Sequence, residues 1–169
     1  MDRVKESLFD LMGSSIVGVR VLDMFAGTGS VGIEALSRGA AHVTFVDVAH
    51  AAIKTVERNL RETQLEDGAL VIQGDALGYV KHYDGIPYDL VYVAPPQYRG
   101  LWAEALVAID DGDVLAPRGL VVVQIHPKEE HTVALKTLEQ THKRQYGSTL
   151  LCFYKPISHS PAEDAYDPS

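Results

Sequence analysis

Apolar runs alternate with amphipathic segments along most of the chain, which predicts strands separated by helices. The runs that are rich in Val, Leu and Ile have the length and composition of buried strands. They cover residues 17–24, 42–47, 69–73, 88–93 and 119–125. Two more strand patterns lie near 142–147 and 148–155 with no helix between them, so we expect an antiparallel pair that turns near Gly147.

Apolar positions spaced three and four residues apart predict helices between these strands. In residues 2–12, Val4 and Leu8 share one face, Asp2 is positioned to cap the start, and Gly13 to end the helix. Further helices are predicted from the glycine-rich turn to Arg38, and over residues 49–64, 76–81, 100–109 and 129–139.

Strands that alternate with helices form right-handed βαβ units and a mostly parallel sheet. We therefore predict an α/β fold with helices on both faces of the sheet. Residues 1–156 form the predicted domain. Residues 157–169 are polar and contain two prolines, so we expect a disordered tail.

Composition restricts where the protein works and what it binds. A chain of 169 residues suits one domain, and its net charge of −8 argues against a large nucleic-acid footprint, although not against a local basic patch. No apolar run approaches the ~20 residues of a membrane helix, and the N-terminal MDRVKESLFD lacks the apolar core of a signal peptide. The single cysteine, Cys152, excludes an internal disulfide and suits a reducing cytoplasm.

A glycine-rich turn after the first predicted strand is the clearest candidate binding site. Gly27, Gly29 and Gly32 match G-x-G-x-x-G, and Asp47 follows about 20 residues later at the tip of the second strand. Glycine lets the backbone turn sharply and approach a ligand closely, and an acid at that tip can accept from both hydroxyls of a ribose. The candidate cofactor-binding residues of the turn are Phe25, Ala26, Gly27, Thr28 and Gly29.

The glycine pattern alone fits NAD as well as S-adenosylmethionine, and two acids favour the second. Asp23 ends the first strand, where a carboxylate would repel a pyrophosphate but could hold the ammonium of a methionine group. Asp75 and Ala76 follow the third strand, where an acid can accept from an adenine amino group. In an open α/β sheet, ligands lie outside the carboxyl ends of the strands. The alternative for each acid is a helix cap or a solvated loop charge.

The fourth strand ends in APPQY, a pattern typical of a substrate loop. The proline pair stops strand pairing because proline has no backbone N–H, and it lies where a transferred methyl group would point. The alternative is a simple strand terminator. The candidate catalytic residues of this loop are Ala94, Pro95, Pro96, Gln97 and Tyr98.

These blocks resemble the bacterial 16S ribosomal RNA guanine-N2 methyltransferases, a class I S-adenosylmethionine-dependent family. The resemblance runs from Asp2 to about Pro156, through DRVKESLF at 2–9, LDMFAGTGSVGIEALSR at 22–38, APP at 94–96 and YGSTLLCFY at 146–154. It implies a Rossmann-like class I methyltransferase fold with a seven-stranded, mostly parallel sheet and one antiparallel strand. It also implies S-adenosyl-L-methionine as the cofactor, and ribosomal RNA or a small-subunit assembly intermediate as the partner.

The same resemblance implies that Arg3 and Phe9, in the first helix, lie near the ligand. The alternatives are a surface ion pair for Arg3 and a core aromatic for Phe9. Members of the family usually carry a glycine- and arginine-rich segment before this helix, whereas the sequence here begins at the helix. With that segment missing and an acidic total charge, we expect RNA to be held weakly or in a different way.

The loop also departs from the family pattern of an acid or Asn, two prolines and an aromatic. Ala94 replaces the acid, and Gln97 takes the aromatic position, one residue before Tyr98. An exocyclic base amine is a poor nucleophile, and a side-chain carbonyl that accepts its hydrogens helps to free its lone pair. Losing one such acceptor costs about 3–4 kcal/mol, or about 10²–10³ in rate. Gln97 could supply an oxygen instead, and Tyr98 a stacking face.

Four functions remain open from the sequence. A methyltransferase acting on guanine N2 of 16S ribosomal RNA is the leading hypothesis, followed by an adenine-N6 or other nucleic-acid amino methyltransferase. A catalytically weakened module that binds S-adenosylmethionine is third, and an NAD-dependent oxidoreductase is fourth. The seven His residues are scattered without metal-ligand spacing, so we predict no metal site. His126, after the fifth strand, is a weak signal by itself.

Overall fold

The computed structural model describes residues 2–158, which form a seven-stranded sheet flanked by helices. The strands are β1 (Arg20–Met24), β2 (His42–Asp47), β3 (Ala69–Gln73), β4 (Tyr88–Val93), β5 (Leu115–Ile125), β6 (Leu138–Tyr146) and β7 (Thr149–Pro156). The helices are α1 (Asp2–Met12), α2 (Ser30–Ser37), α3 (His50–Thr63), α4 (Ala76–Lys81) and α5 (Leu101–Asp111). Short 3₁₀ turns cover Gly13–Ile16, Glu66–Gly68 and Pro127–Glu129.

The strand order β3-β2-β1-β4-β5-β7-β6 confirms the predicted mostly parallel sheet. Only β7 runs against its neighbours, since it pairs antiparallel with both β5 and β6. Gly147, with φ of 59°, forms the predicted turn between β6 and β7. The chain builds outward from β1 to β3 and then returns to place β4 on the other side of β1. This reversal opens a crevice outside the carboxyl ends of β1 and β4.

Two hydrophobic cores cover the two faces of the sheet. One lies under α1, α2 and α3 and includes Phe9 and Phe45, both almost fully buried. The other lies under α4 and α5 and includes Trp102 and Tyr88. The central strands are buried on both faces, and therefore read as nearly continuous apolar runs in the sequence.

The helix predicted over residues 129–139 is wrong. After the Pro127–Glu129 turn, residues 130–137 have no regular structure, and β6 begins at Leu138. The buried carboxylate of Asp110, at the end of α5, accepts from the backbone N–H groups of Lys136, Thr137 and Leu138. Those N–H groups are therefore not available for helical hydrogen bonds, and the long-range contact overrides the local helical pattern.

Other boundaries shift for local reasons. The first strand begins at Arg20 rather than at residue 17, because residues 13–16 form a 3₁₀ turn and Gly18 has φ of 79°. The fifth strand begins four residues earlier than predicted, at Leu115. The predicted cap by the Asp2 side chain and the predicted disorder beyond residue 158 lie outside the described part of the chain.

Candidate active site

The carboxyl ends of four adjacent strands bring the predicted site residues to one edge of the sheet. Asp23 is the penultimate residue of β1, Asp47 is the last residue of β2, residues 74–76 follow β3, and residues 94–98 follow β4. The parallel register sets Asp23 beside Tyr92 of β4. The cofactor and catalytic candidates therefore share the crevice at the strand reversal.

The glycine-rich turn has a backbone conformation that few residues adopt. Phe25, Gly27 and Gly29 all have positive φ, at 57°, 59° and 78°, so two of the three positions are filled by the residue that tolerates this conformation. Ala26 ties the turn to the sheet, because its N–H donates to the carbonyl of Val46 at 3.0 Å. The backbone of the turn therefore lies at the crevice and stays hydrogen-bonded to the end of β2.

Gly29 and Gly32 are also required by packing. A Cβ on Gly29 would lie 3.1 Å from a valine methyl carbon of α3, and a Cβ on Gly32 would lie 2.3 Å from Cε1 of Phe45. The carbonyl of Thr28 accepts from Nδ2 of Asn59 on α3 at 3.0 Å. The G-x-G-x-x-G pattern therefore lets α2 begin close against β2 and α3.

Asp47 connects the glycine turn to the start of α3. Its Oδ2 accepts from the Gly27 N–H at 2.9 Å, and its Oδ1 accepts from the Ala49 N–H at 2.9 Å. A carboxylate oxygen can accept more than one hydrogen bond, so both oxygens keep acceptor capacity toward the crevice. The side chain is positioned by the backbone on both sides, which is the arrangement that a ribose-binding acid needs.

Asp23 is a buried carboxyl beside this turn. Only 3% of its surface is exposed, and its oxygen accepts from the Gly32 N–H at 3.2 Å. Burial raises the pKa of Asp23 to about 8; the Gly32 N–H lowers it, and the charge of Asp47 raises it further. A cation bound next to Asp23 would favour the ionised carboxylate, so the site is suited to a positively charged ligand group.

Tyr92, the neighbour of Asp23 across the β1–β4 pair, is also buried. Its hydroxyl donates to Oε1 of Gln124 on β5. Burial, followed by the charge of Asp23, raises the pKa of Tyr92, so the phenol stays protonated. Sequence reasoning did not identify Tyr92 or Gln124 as part of this edge.

Asp75 is a helix cap, as the alternative interpretation proposed. Its Oδ2 accepts from the Gly78 N–H at 3.0 Å and caps α4. Ala76, the first residue of α4, is 3% exposed. The adjacent Gly74 N–H donates to the carbonyl of Asp47 at 2.9 Å, which links the β3 loop to the end of β2. No described residue donates to Oδ1 of Asp75, so the cap does not use the whole carboxylate.

The loop after β4 runs from the core to the surface. Ala94 and Pro95 are partly buried, whereas Pro96, Gln97 and Tyr98 are exposed. Because Pro95 and Pro96 have no N–H, the loop leaves strand pairing at this point. The side chain of Ala94 is a methyl group and offers no acceptor, so any acceptor at this point of the loop comes from the backbone carbonyls or from Gln97.

Tyr98 is held by residues that sequence reasoning missed. It has φ of 61°, and its N–H donates to Oε1 of Glu129 at 2.8 Å. The other oxygen of Glu129 accepts from the His126 N–H at 3.0 Å, and the Tyr98 and His126 rings lie 5.7 Å apart. The signal in the sequence is a capping box in H-P-K-E, which predicts a turn at Pro127 but not its contact with Tyr98.

The two candidate residues of α1 lie in different surroundings. Phe9 is 1% exposed and is a core aromatic, with the Arg38 guanidinium 5.1 Å from its ring. Arg3 is exposed, and its guanidinium lies 5.8 Å from the ring of Tyr146, at the end of β6. Arg3 is therefore near the same edge of the sheet as the candidate site, but its contact is an aromatic ring rather than an acid.

Within residues 2–158, no group of three or more His, Cys, Asp or Glu side chains is arranged to hold a metal ion. None of the described helices is long and apolar enough to cross a membrane.

Known proteins are similar to this chain in sequence and in fold. The family model described as "Conserved hypothetical protein 95" matches residues 1–155. "Putative rRNA methyltransferase YlbH" of Bacillus subtilis (strain 168) is 36% identical over 158 residues, which are 91% of this chain and 85% of that protein. "Ribosomal RNA small subunit methyltransferase D" of Escherichia coli (strain K12) is 37% identical over 123 residues, 73% of this chain, and the match spans 61% of that relative's length.

The solved structure of "Putative methyltransferase yhhF from Escherichia coli" has a TM-score of 0.85 and 29% identity to this chain. The match covers 94% of this chain and 89% of the Escherichia coli protein chain in that structure. The likeness therefore extends over almost the whole described sheet and its helices.

Proposed function

Because the chain belongs to the conserved hypothetical protein 95 family, whose relatives include named ribosomal RNA methyltransferases, we propose that it methylates the N2 amine of a guanine in 16S ribosomal RNA. The methyl donor in this proposal is S-adenosyl-L-methionine. The proposed partner is ribosomal RNA or an assembly intermediate of the small subunit, in the cytoplasm.

The observation that carries the proposal is the coupling of Asp23, the glycine turn and Asp47 at the strand reversal. Asp47 accepts from the Gly27 N–H in the glycine turn, while Asp23 accepts from the Gly32 N–H in the first turn of α2, so both acids are fixed to one continuous segment. A methionine ammonium would favour the ionised form of the buried Asp23 carboxyl, whose pKa is raised to about 8 by burial, whereas an NAD pyrophosphate beside it would gain no such pairing. This difference in charge favours S-adenosylmethionine over NAD.

The donor set suits each part of this cofactor. Asp47 would accept from the ribose hydroxyls, and Asp75 would accept from the adenine amino group with the oxygen that does not cap α4. The backbone of Gly27 and Gly29 would lie against the methionine group, because neither residue has a side chain to obstruct it.

S-adenosylmethionine would supply an electrophilic methyl group, and the loop after β4 would orient the amine that attacks it. The exposed ring of Tyr98 offers a stacking face for a base. The carbonyls of Ala94 and Pro95 and the Gln97 side chain are the acceptors available for the amine hydrogens. The loop positions the nucleophile, and we expect it to do so less effectively than a loop that carries an Asp or Asn at position 94.

Two other functions follow from the same loop. An adenine-N6 or other nucleic-acid amine is the second candidate substrate, since the ring of Tyr98 stacks on any base. A catalytically weakened module that binds S-adenosylmethionine is the third candidate, because the methyl side chain of Ala94 removes an acceptor while the cofactor residues are complete.

The test is transfer of a labelled methyl group to immature small subunits, naked ribosomal RNA and DNA, followed by nucleoside analysis. We expect N2-methylguanosine in the ribosomal substrates. Asp47→Ala is the matched control, because it removes the ribose acceptor without touching the loop, and it should weaken cofactor binding and abolish labelling. N6-methyladenine as the product would support the second candidate function. Calorimetry that shows cofactor binding without any transfer would support the third.

A further inference from the structure

The carboxylate of Glu129 joins the loop after β4 to the turn after β5. One oxygen accepts from the backbone of Tyr98, and the other accepts from the backbone of His126, 31 and 3 residues away in the sequence. The contact with His126 completes the cap of the Pro127–Glu129 turn. The contact with Tyr98 is not needed for that cap, so it requires a separate explanation.

Tyr98 has a conformation that needs support. A positive φ is uncommon for a residue with a Cβ, and bulky side chains disfavour it. Its neighbours Gln97 and Arg99 are exposed, and Gly100 also has positive φ, so the chain on either side offers little restraint. Two contacts oppose this freedom: the hydrogen bond to Glu129 and the ring of His126.

The His126 ring is itself fixed. Its Nδ1 accepts from the Lys128 N–H at 3.0 Å, within the same turn that Glu129 closes. The ring then lies 5.7 Å from the Tyr98 ring at an interplanar angle of 39°. Even so, 63% of the Tyr98 surface stays exposed. The phenol is therefore oriented by its backbone and by one neighbouring ring, while most of it is open to a ligand.

We propose that Glu129 is a positioning residue that holds Tyr98 ready to stack on the target base. The stacking step rests on the proposed function, whereas the tie between Glu129 and the loop does not. Glu129 acts through the backbone of Tyr98 and touches neither cofactor nor base. It restrains the loop after β4 from the turn after β5.

The test compares Glu129→Ala, Glu129→Gln and Glu130→Gln. The first variant removes both acceptors, and the second keeps one carbonyl oxygen and the side-chain size. Glu130→Gln is the matched control, because the adjacent Glu130 pairs with Nζ of Lys143 at 3.0 Å instead of with the loop. The first readout is trypsin cleavage after Arg99, directly beside Tyr98, which reports opening of the loop.

We expect cleavage at Arg99 to accelerate about tenfold or more in Glu129→Ala, less in Glu129→Gln and not in Glu130→Gln. Turnover should fall about tenfold in Glu129→Ala, while the cofactor dissociation constant stays within about twofold. In a Tyr98→Ala background, Glu129→Ala should lower turnover little further, because the residue through which it acts is gone.

Equal cleavage in Glu129→Ala and the parent would overturn the proposal. So would a loosened loop with unchanged turnover, or a full additional loss of turnover in the Tyr98→Ala background. A parent that transfers no methyl group, while cleavage at Arg99 still responds to Glu129→Ala, would overturn the proposed function and support the loop tie.

Discussion

Ala94 is the residue at which we expect the candidate site to give less help to a base amine. It stands at the end of β4, at the position where the family that the sequence resembles has an acid or Asn. Its methyl group cannot accept a hydrogen bond, and the nearest polar side chain along the loop, Gln97, is exposed. The hydrogen bonds of the candidate cofactor residues Asp23 and Asp47 do not involve Ala94. We therefore expect substitutions at Ala94 to change turnover and to leave cofactor binding unchanged.

We predict that Ala94→Asn raises turnover with an amine substrate by up to about 10²–10³, because a positioned carbonyl strengthens its hydrogen bond as charge develops on the nitrogen. Asn is preferable to Asp, since it adds no charge beside the acids of the site. Single-turnover methylation measures the gain, and calorimetry should show an unchanged cofactor affinity.

Gln97→Ala is the companion variant. If Gln97 supplies the acceptor in the parent, Gln97→Ala should lower the turnover of the parent. The same change should lower the turnover of the Ala94→Asn variant less, because Asn at position 94 then supplies an acceptor. A parent with normal turnover, together with a neutral or harmful Ala94→Asn change, would mean that the loop is built for a different chemistry.

Between elements, Asp110 of α5 holds the backbone at the start of β6. Asp110 is 4% exposed and accepts from three backbone N–H groups and from the Thr137 hydroxyl at 2.7–2.9 Å. Burial alone would raise the pKa of Asp110, but these donors outweigh it, and the pKa is lowered below its usual value of 3.8. The ionised carboxylate is thus the form that anchors residues 136–138.

We predict that Asp110→Asn lowers the free energy of unfolding by about 2 kcal/mol at neutral pH, since the amide keeps only one acceptor oxygen, without charge, where two carboxylate oxygens accept in the parent. Because the folded pKa is depressed, this contribution is complete above the unfolded pKa and is lost as pH falls through the folded pKa. The difference between variant and parent in urea denaturation should therefore shrink below about pH 4.

Asp111→Asn is the matched control for this prediction. Its carboxylate is half exposed and pairs with Nζ of Lys136 at 3.4 Å, so its loss should cost well under 1 kcal/mol. Equal destabilisation by the two variants, or a difference that grows at low pH, would contradict the anchor role of Asp110.

The sequence predicted those elements whose signal is local. Three strands and one helix have the predicted boundaries: 42–47, 69–73, 88–93 and 76–81. Apolar runs define the strands, and Asp75 caps the start of the helix. The segment 129–139 failed, since the contact that excludes a helix comes from Asp110 on another element. Val133 and Leu135 supply apolar side chains to the core without helical geometry.

In the candidate site, too, features with a local sequence signal could be predicted and long-range contacts could not. The glycine turn and the acids at strand ends could be located from spacing, because parallel strands bring their carboxyl ends to one edge. The sequence also predicted a helix cap as the alternative role of Asp75. The tie from Glu129 to Tyr98 was not, since it spans 31 residues and depends on how two loops meet.

At the scale of the whole molecule, the net charge is −8, but a few basic groups lie on the same side of the sheet as the candidate site. The Arg3 guanidinium lies over the ring of Tyr146, and Arg144, two residues earlier on β6, donates to the ring of His142 rather than to a carboxylate. The strand is exposed along most of its length. It lies three strands from β4, roughly 14 Å at ordinary strand spacing. Nucleotides that flank a target base at the β4 loop would come within reach of these cations.

We therefore predict weak, salt-sensitive binding of ribosomal RNA by this chain, with only about two or three phosphates neutralised. The slope of log K against log salt should be about −2, as expected for that number of contacts on single-stranded RNA. Arg144→Ala should weaken binding and make the slope shallower by about 0.7. Lys54→Ala is the control, because Lys54 lies on α3 at the opposite end of the sheet and is paired with Glu57. Filter binding across a salt series measures both quantities. Tight binding that is insensitive to salt, or equal effects of the two variants, would place the RNA on a different surface of the protein.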